Sequence, residues 1–307
     1  MRRFRSTALG AALLAMALIA AACGEEAPGG GGGGDGEARG TLTVGGVAFA
    51  ENQIVAEMYA QVLENAGYTV ERQTGLESRE VLQPAIEAGD IDIAPEYLSS
   101  LLLFLDPDAT ASGDSDEVRS TLEPLLEERG QTLLESSEAD DTNAFVVTAE
   151  TAEEHGLATV SDLAPVAGEL TLGGPPECPE RPFCIPGLRD VYGIEFGEFV
   201  PLDVGGPLTV EALENGDIDV GLLFSTSSVI AANGWILLED DQNLQNAENI
   251  TPVVRSEVLN EEIEQLLNEV SATLTTENIT ELNGRVEIDE EDPADVAADH
   301  LSAEGLI

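Results

Sequence analysis

One phrase occurs twice in this chain. Ala85-Ile86-Glu87-Ala88-Gly89-Asp90-Ile91-Asp92-Ile93 returns as Ala212-Leu213-Glu214-Asn215-Gly216-Asp217-Ile218-Asp219-Val220. Each copy reads as the end of a helix, a glycine stop and a short buried strand. Each then delivers an aromatic at the same offset, Tyr97 and Phe224, followed by small hydroxyl residues, Ser99-Ser100 and Ser225-Thr226. A chain built this way is expected to form two similar lobes. Each lobe aims a ring and hydroxyls from a strand end, with a ligand held between them.

Around the two phrases, strand and helix alternate. Leu42 and Val44 open a strand, and Glu51 to Ala66 is a helix with Ile54, Met58 and Val62 on one face. A strand at Thr69 to Glu71 and helices at Val81 to Ala88, Leu98 to Leu105 and Val118 to Glu128 follow. A second unit starts with a strand at Ala144 to Val147 and runs through strands to Trp235–Leu238. After Val254 the pattern is helical, at Glu257 to Ala272, Thr276 to Asn283 and Pro293 to Leu301. The alternation predicts parallel, doubly wound α/β sheets, whose ligands sit beyond the C-terminal strand ends. Ser99-Ser100, Ser225-Thr226 and the start of the Glu51 helix fall there.

Charge narrows the partners. The 307 residues hold 60 Asp and Glu against 12 Lys and Arg, a formal net charge of −48. All the basic residues are Arg. Such a surface repels nucleic acid and anionic lipid. It stays soluble where salt screens ordinary proteins, as expected of a salt-loving source. An apolar fraction of 43% still supports real cores.

The N-terminus reads as a secretion signal over 1–22. Arg2, Arg3 and Arg5 form a basic head, and Ala8 to Ala22 is an apolar run too short for a spanning helix. The run ends Ile19-Ala20-Ala21-Ala22-Cys23, which resembles a bacterial lipobox. That resemblance implies cleavage before Cys23 and lipidation of its thiol. Residues 23–40 then form a Gly-rich tether. The remaining cysteines, Cys178 and Cys184, lie in a Pro-rich loop, and outside the cytoplasm such a close pair is expected to form a disulfide. Two thiols without a nearby His lack a metal ligand set.

Seven short motifs in order carry a family resemblance. They are Val47-Ala48-Phe49-Ala50-Glu51, Gly89-Asp90-Ile91-Asp92, Pro95-Glu96-Tyr97, Glu180-Arg181, Tyr192-Gly193, Gly216-Asp217-Ile218-Asp219 and Leu237-Leu238-Glu239-Asp240-Asp241. With the lipobox, they make the chain similar to the glycine betaine, choline and related osmoprotectant-binding proteins of ABC importers. The resemblance implies a type II, two-lobed α/β clamshell whose doubly wound lobes are joined by two crossover strands. Lobe 1 is expected at 41–142 plus 251–307, and lobe 2 at 143–250. It implies a monomer anchored by lipid to the outer face of the membrane. The protein would bind a small zwitterionic or cationic solute between the lobes and deliver it to the permease. No enzyme activity, cofactor or metal is implied.

In that family a quaternary ammonium sits in a cage of aromatics held by cation–π attraction. Tyr97 matches a cage tyrosine, and Phe224 matches a position that is often Tyr, keeping the ring without the hydroxyl. Ser225 and Thr226 match the hydroxyls that follow it. Asp141 and Asn143 match an Asn-Asn-Thr-Tyr stretch, so a ring is replaced by an amide at Asn143. Arg181 matches an arginine able to take a carboxylate, although the Asp-Gly that follows in the family is Phe183-Cys184 here. Phe49 and Glu51 match a Phe-Thr-Glu at the first helix, with Ala50 in place of Thr. These departures leave open a more polar or less methylated solute, such as an amino acid or ectoine.

Other classes of function find less support. No Ser-His-Asp arrangement or phosphate loop suggests an enzyme, and the two histidines, His155 and His300, lack motif context. The acidic stretch Asp289 to Asp299 lacks the glycine and spacing of a calcium loop and reads as helix N-terminal charge.

Overall fold

The computed structural model describes residues 39–307. The expected signal 1–22, the lipidation site Cys23 and all but the last two residues of the tether lie outside them. The strands are β1 (Thr41–Val47), β2 (Thr69–Leu76), β3 (Ile93–Tyr97), β4 (Gln131–Leu133), β5 (Asn143–Val147), β6 (Thr171–Gly174), β7 (Glu198–Pro201), β8 (Val220–Phe224), β9 (Ile236–Leu237) and β10 (Ile250–Arg255). The helices that position the site are α1 (Ala50–Asn65), α2 (Arg79–Ala88), α3 (Leu98–Leu105), α4 (Pro207–Asn215), α5 (Glu261–Ser271), α6 (Thr276–Glu287) and α7 (Pro293–Glu304).

Two five-stranded sheets result, ordered β2-β1-β3-β10-β4 and β7-β6-β8-β5-β9. The orders are equivalent. In each, the strand that follows the repeated phrase is central, and the fourth strand is β10 or β5. Parallel pairing holds for β2-β1-β3 and β7-β6-β8, as expected of strand–helix–strand units. The expectation of wholly parallel sheets is corrected at β5 and β10, which run antiparallel to their neighbours. No helical crossover within the same sheet precedes either strand, so the rule that keeps such strands parallel does not act on them.

The first sheet packs on α1, with Ile54, Met58 and Val62 buried as the periodicity predicts. Ile263 of α5, Ile279 of α6 and Leu301 of α7 complete the same core. Each such side chain contributes roughly 1.5–3 kcal/mol when taken from water. In the second sheet, Phe145 and Val147 of β5 enter one core and Ala144 and Val146 another. That is the period of two expected of a strand covered on both faces.

The repeated phrase performs the same tasks in both sheets. Gly89 and Gly216 end α2 and α4 in the left-handed region, at φ 81° and 71°. The backbone N–H groups of Asp90 and Asp217 donate to Ala85 and Ala212, each at 2.9 Å. The carboxylates of Asp92 and Asp219 accept from the N–H groups of Thr43 and Thr171, each at 2.8 Å, and so pin β1 and β6. Ile91 and Ile218 then lie over Gly45 and Gly173, where a Cβ would come within 2.6 and 2.5 Å of their Cδ1 atoms. The phrase is thus a connector that sets the register of a central strand, β3 or β8, against its parallel neighbour, β1 or β6.

Candidate functional site

A cleft is lined by residues from the strand ends of both sheets, including Val47, Tyr97, Leu222 and Phe224. Tyr97 and Phe224 end β3 and β8 because the phrase places those strands identically. Phe49 stands just before α1. Its ring centroid lies 5.9 Å from that of Tyr97 and 4.7 Å from that of Phe224. The three rings form one tilted cluster, with Phe49 in the middle and contributions from both sheets. Such offset arrangements are the favourable ones for aromatic pairs.

Asn143 pairs directly with Phe224 across β5 and β8, so the two share a face. Its amide donates to the Phe183 carbonyl at 3.3 Å, and both residues line the cleft. A disulfide joins Cys178 and Cys184 in this wall. It holds the short loop that carries Arg181 and Phe183.

Arg181 lines the cleft, and its guanidinium is already engaged. It donates to Glu80 at 2.8 Å and stands 5.6 Å from the Phe104 ring centroid. Burial and then the neighbouring Arg79 charge push its pKa down. Arg79 itself forms a buried, forked pair with Glu96, at 2.7 and 2.9 Å. Both line the cleft, and sequence reasoning missed both as a pair. The available signal was the scarcity of Arg, since Arg79 opens the helix that carries the first phrase.

Glu51, Ser225 and Thr226 stand one layer behind the wall that Asp141 forms. Glu51 accepts from the Tyr97 hydroxyl at 2.8 Å, and its other oxygen lies 2.7 Å from the Thr226 hydroxyl. The same hydroxyl is 2.9 Å from Asp141 Oδ1, which also accepts from the Thr226 N–H at 3.1 Å and the Ser225 hydroxyl at 3.3 Å. Asn283 of α6 donates to Thr226 Oγ1 at 3.2 Å and to Glu51 at 3.3 Å. Sequence reasoning missed Asn283, because nothing local links a helix near the C-terminus to a strand end of the other sheet. Burial drives Tyr97 well above the ordinary phenol pKa, and the facing Glu51 and Asp141 carboxyls push the same way. Among the described residues no group of His, Cys, Asp and Glu is arranged to hold a metal.

The cleft thus offers ring faces, a buried acid and two arginines, each paired with a glutamate. Residues 40–303 match the family described as the substrate binding domain of ABC-type glycine betaine transport system.

The chain belongs to that family.

The family is one of solute-binding proteins of ABC transporters, not enzymes. A glycine-betaine-binding protein of Pseudomonas aeruginosa is 31% identical over 87% of this chain and 89% of its own length. A carnitine transport binding protein of Listeria monocytogenes is 29% identical over 87% of each chain. A crystal structure described as a glycine betaine/carnitine/choline ABC transporter superposes with a TM-score of 0.67 at 26% identity, covering 86% of this chain and 99% of the other. This binding protein shares their two-lobed type II α/β clamshell.

Proposed function

We propose that this binding protein captures a betaine-like solute, a small zwitterion or cation bearing a quaternary ammonium, in the cleft between its lobes. The lobes are 41–142 with 251–307, and 143–250. Tyr97, Phe224 and Phe49 supply ring faces, and Asp141 supplies negative charge. Asn143, Ser225 and Thr226 shape the polar wall, with Glu51 behind it. Arg181 and its neighbour Arg79 form the end suited to a carboxylate. The protein works outside the cytoplasm as a monomer, is lipid-anchored through Cys23, and hands its solute to the membrane permease.

The observation that carries this reading is the ring cluster. Phe49 stands within stacking distance of rings contributed by both sheets, and the buried Asp141 carboxyl in the same lining has no ion-pair partner among the described residues. A ring face presented to a cation contributes roughly 0.5–2 kcal/mol. The names of the relatives support the same class of solute.

A second reading is a more polar solute of the amino acid or ectoine type. It is favoured by Asn143, which presents an amide directly opposite Phe224. A thermal-shift screen at high salt separates the two. Glycine betaine, choline, carnitine and proline betaine are expected to raise the melting temperature. A shift with ectoine or amino acids alone would favour the second reading, and no shift with any solute would sink both.

A further inference from the structure

The Glu51–Asp141 contact poses a problem of proton counting. Both carboxyls are buried, at 2% and 4% exposure, and Thr226 between them is 1% exposed. Thr226 Oγ1 lies within hydrogen-bond distance of Glu51 Oε2 and Asp141 Oδ1 and also receives the Asn283 amide. A hydroxyl has one proton to give. It can donate to one carboxylate only, so the second contact needs a proton on a carboxyl oxygen. Two ionised carboxylates would leave that contact as bare repulsion between lone pairs.

No cation settles the charge. Among the described residues no Arg ion-pairs with Glu51 or Asp141. The groups that face the pair are otherwise neutral or acidic: Tyr97 from the end of β3, Ser225 and Thr226 after β8, and Asn283 and Glu287 from α6. Arg79 and Arg181 line the same cleft but are bound to Glu96 and Glu80. Burial pushes both carboxyls of the pair above the usual range, and for Asp141 the facing Glu51 adds to the shift. Asp141 lines the cleft beside the ring cluster, and its Oδ2 is buried without a hydrogen-bond partner.

We propose that the Glu51–Asp141 pair holds one shared proton while the cleft is empty and releases it when a cationic group settles beside Asp141. Solute capture is then coupled to proton release. This rests on the reading of the cleft as a cation site. The balance is simple: one carboxyl O–H breaks, its proton passes to solvent or buffer, and the second negative charge is matched by the incoming cation. Thr226 relays between the two acids, since its O–H can turn toward either. A pair of this kind titrates as a unit, as two like-charged acids sharing a site do.

Two measurements test it. Infrared spectroscopy of the solute-free protein is expected to show a protonated-carboxyl band that persists above the titration of Glu248 and Glu287 near pH 7 and disappears in both Glu51→Gln and Asp141→Asn. Calorimetric titration with glycine betaine or choline, in buffers of differing ionisation enthalpy, is expected to show release of about one proton per solute. Absence of that persistent band in the wild-type protein overturns the proposal, whether or not the variants fold. Binding with a heat independent of the buffer overturns the coupling alone and leaves the cation site standing. If neither probe binds although the band is present, the cation-site reading falls and takes the coupling with it.

Discussion

Tyr97 has two parts with separable duties. Its ring faces the cleft cluster, and its hydroxyl serves Glu51. Tyr97→Ala is expected to weaken binding of a quaternary ammonium by about 0.5–2 kcal/mol, read as a rise in the calorimetric Kd. Tyr97→Phe keeps the ring and is expected to bind nearly as well while losing about 1–3 kcal/mol of stability, because a buried acceptor loses its donor. Equal losses of binding in the two variants would contradict this division. Two other acids bind backbone just past the rings. Glu248 accepts from the Ser100 N–H at 3.1 Å, and Glu287 from the Ser228 N–H at 2.8 Å. Burial pushes each up to about 7. Between the ordinary carboxylate range and about pH 7, the folded protein therefore holds more protons than the unfolded chain, so stability falls as pH rises through that window. Melting curves against pH are expected to fall less steeply in Glu248→Gln. An identical slope would show that Glu248 does not titrate there.

At the scale of elements, the phrase of residues 85–93 acts as a register device. Gly45→Ala or Gly173→Ala drives a Cβ into Ile91 or Ile218 and is expected to cost about 1–3 kcal/mol in denaturant unfolding. Adding Ile91→Ala to Gly45→Ala is expected to cost less than the sum of the two single changes. Strict additivity would mean that the glycine serves another purpose. Much of this level was legible in the sequence. Apolar spacing located α1, α3 and the strand that ends at Phe224, and the repeat foretold two sheets of one design. The direction of β5 and β10 was not legible, because an apolar strand reads the same whichever way it pairs. The partners of the site were legible only where they are local. Phe49, Tyr97 and Phe224 stand in motifs beside strand ends. The Arg79–Glu96 pair and Asn283 become neighbours of the site only through tertiary packing.

For the whole molecule the dominant quantity is charge. Every Arg of the described residues ion-pairs with at least one carboxylate. With 60 acids against 12 bases, most carboxylates still face one another without compensation. Salt screens that repulsion, so the melting temperature is expected to rise with KCl or NaCl. A melting temperature that is flat or falling with salt would remove repulsion as the main surface term. The same excess of acid makes the cleft notable, since there a buried acid meets ring faces instead of water. On the proposed function, the cleft recognises positive charge. The most direct test is a calorimetric comparison of glycine betaine with its carbon analogue, in which a tert-butyl group replaces the trimethylammonium at nearly equal size. Glycine betaine is expected to bind, and the analogue, which lacks the positive charge, to bind far more weakly or not at all. Equal affinity for the two would contradict it, because the cleft would then be reading shape and carboxylate alone.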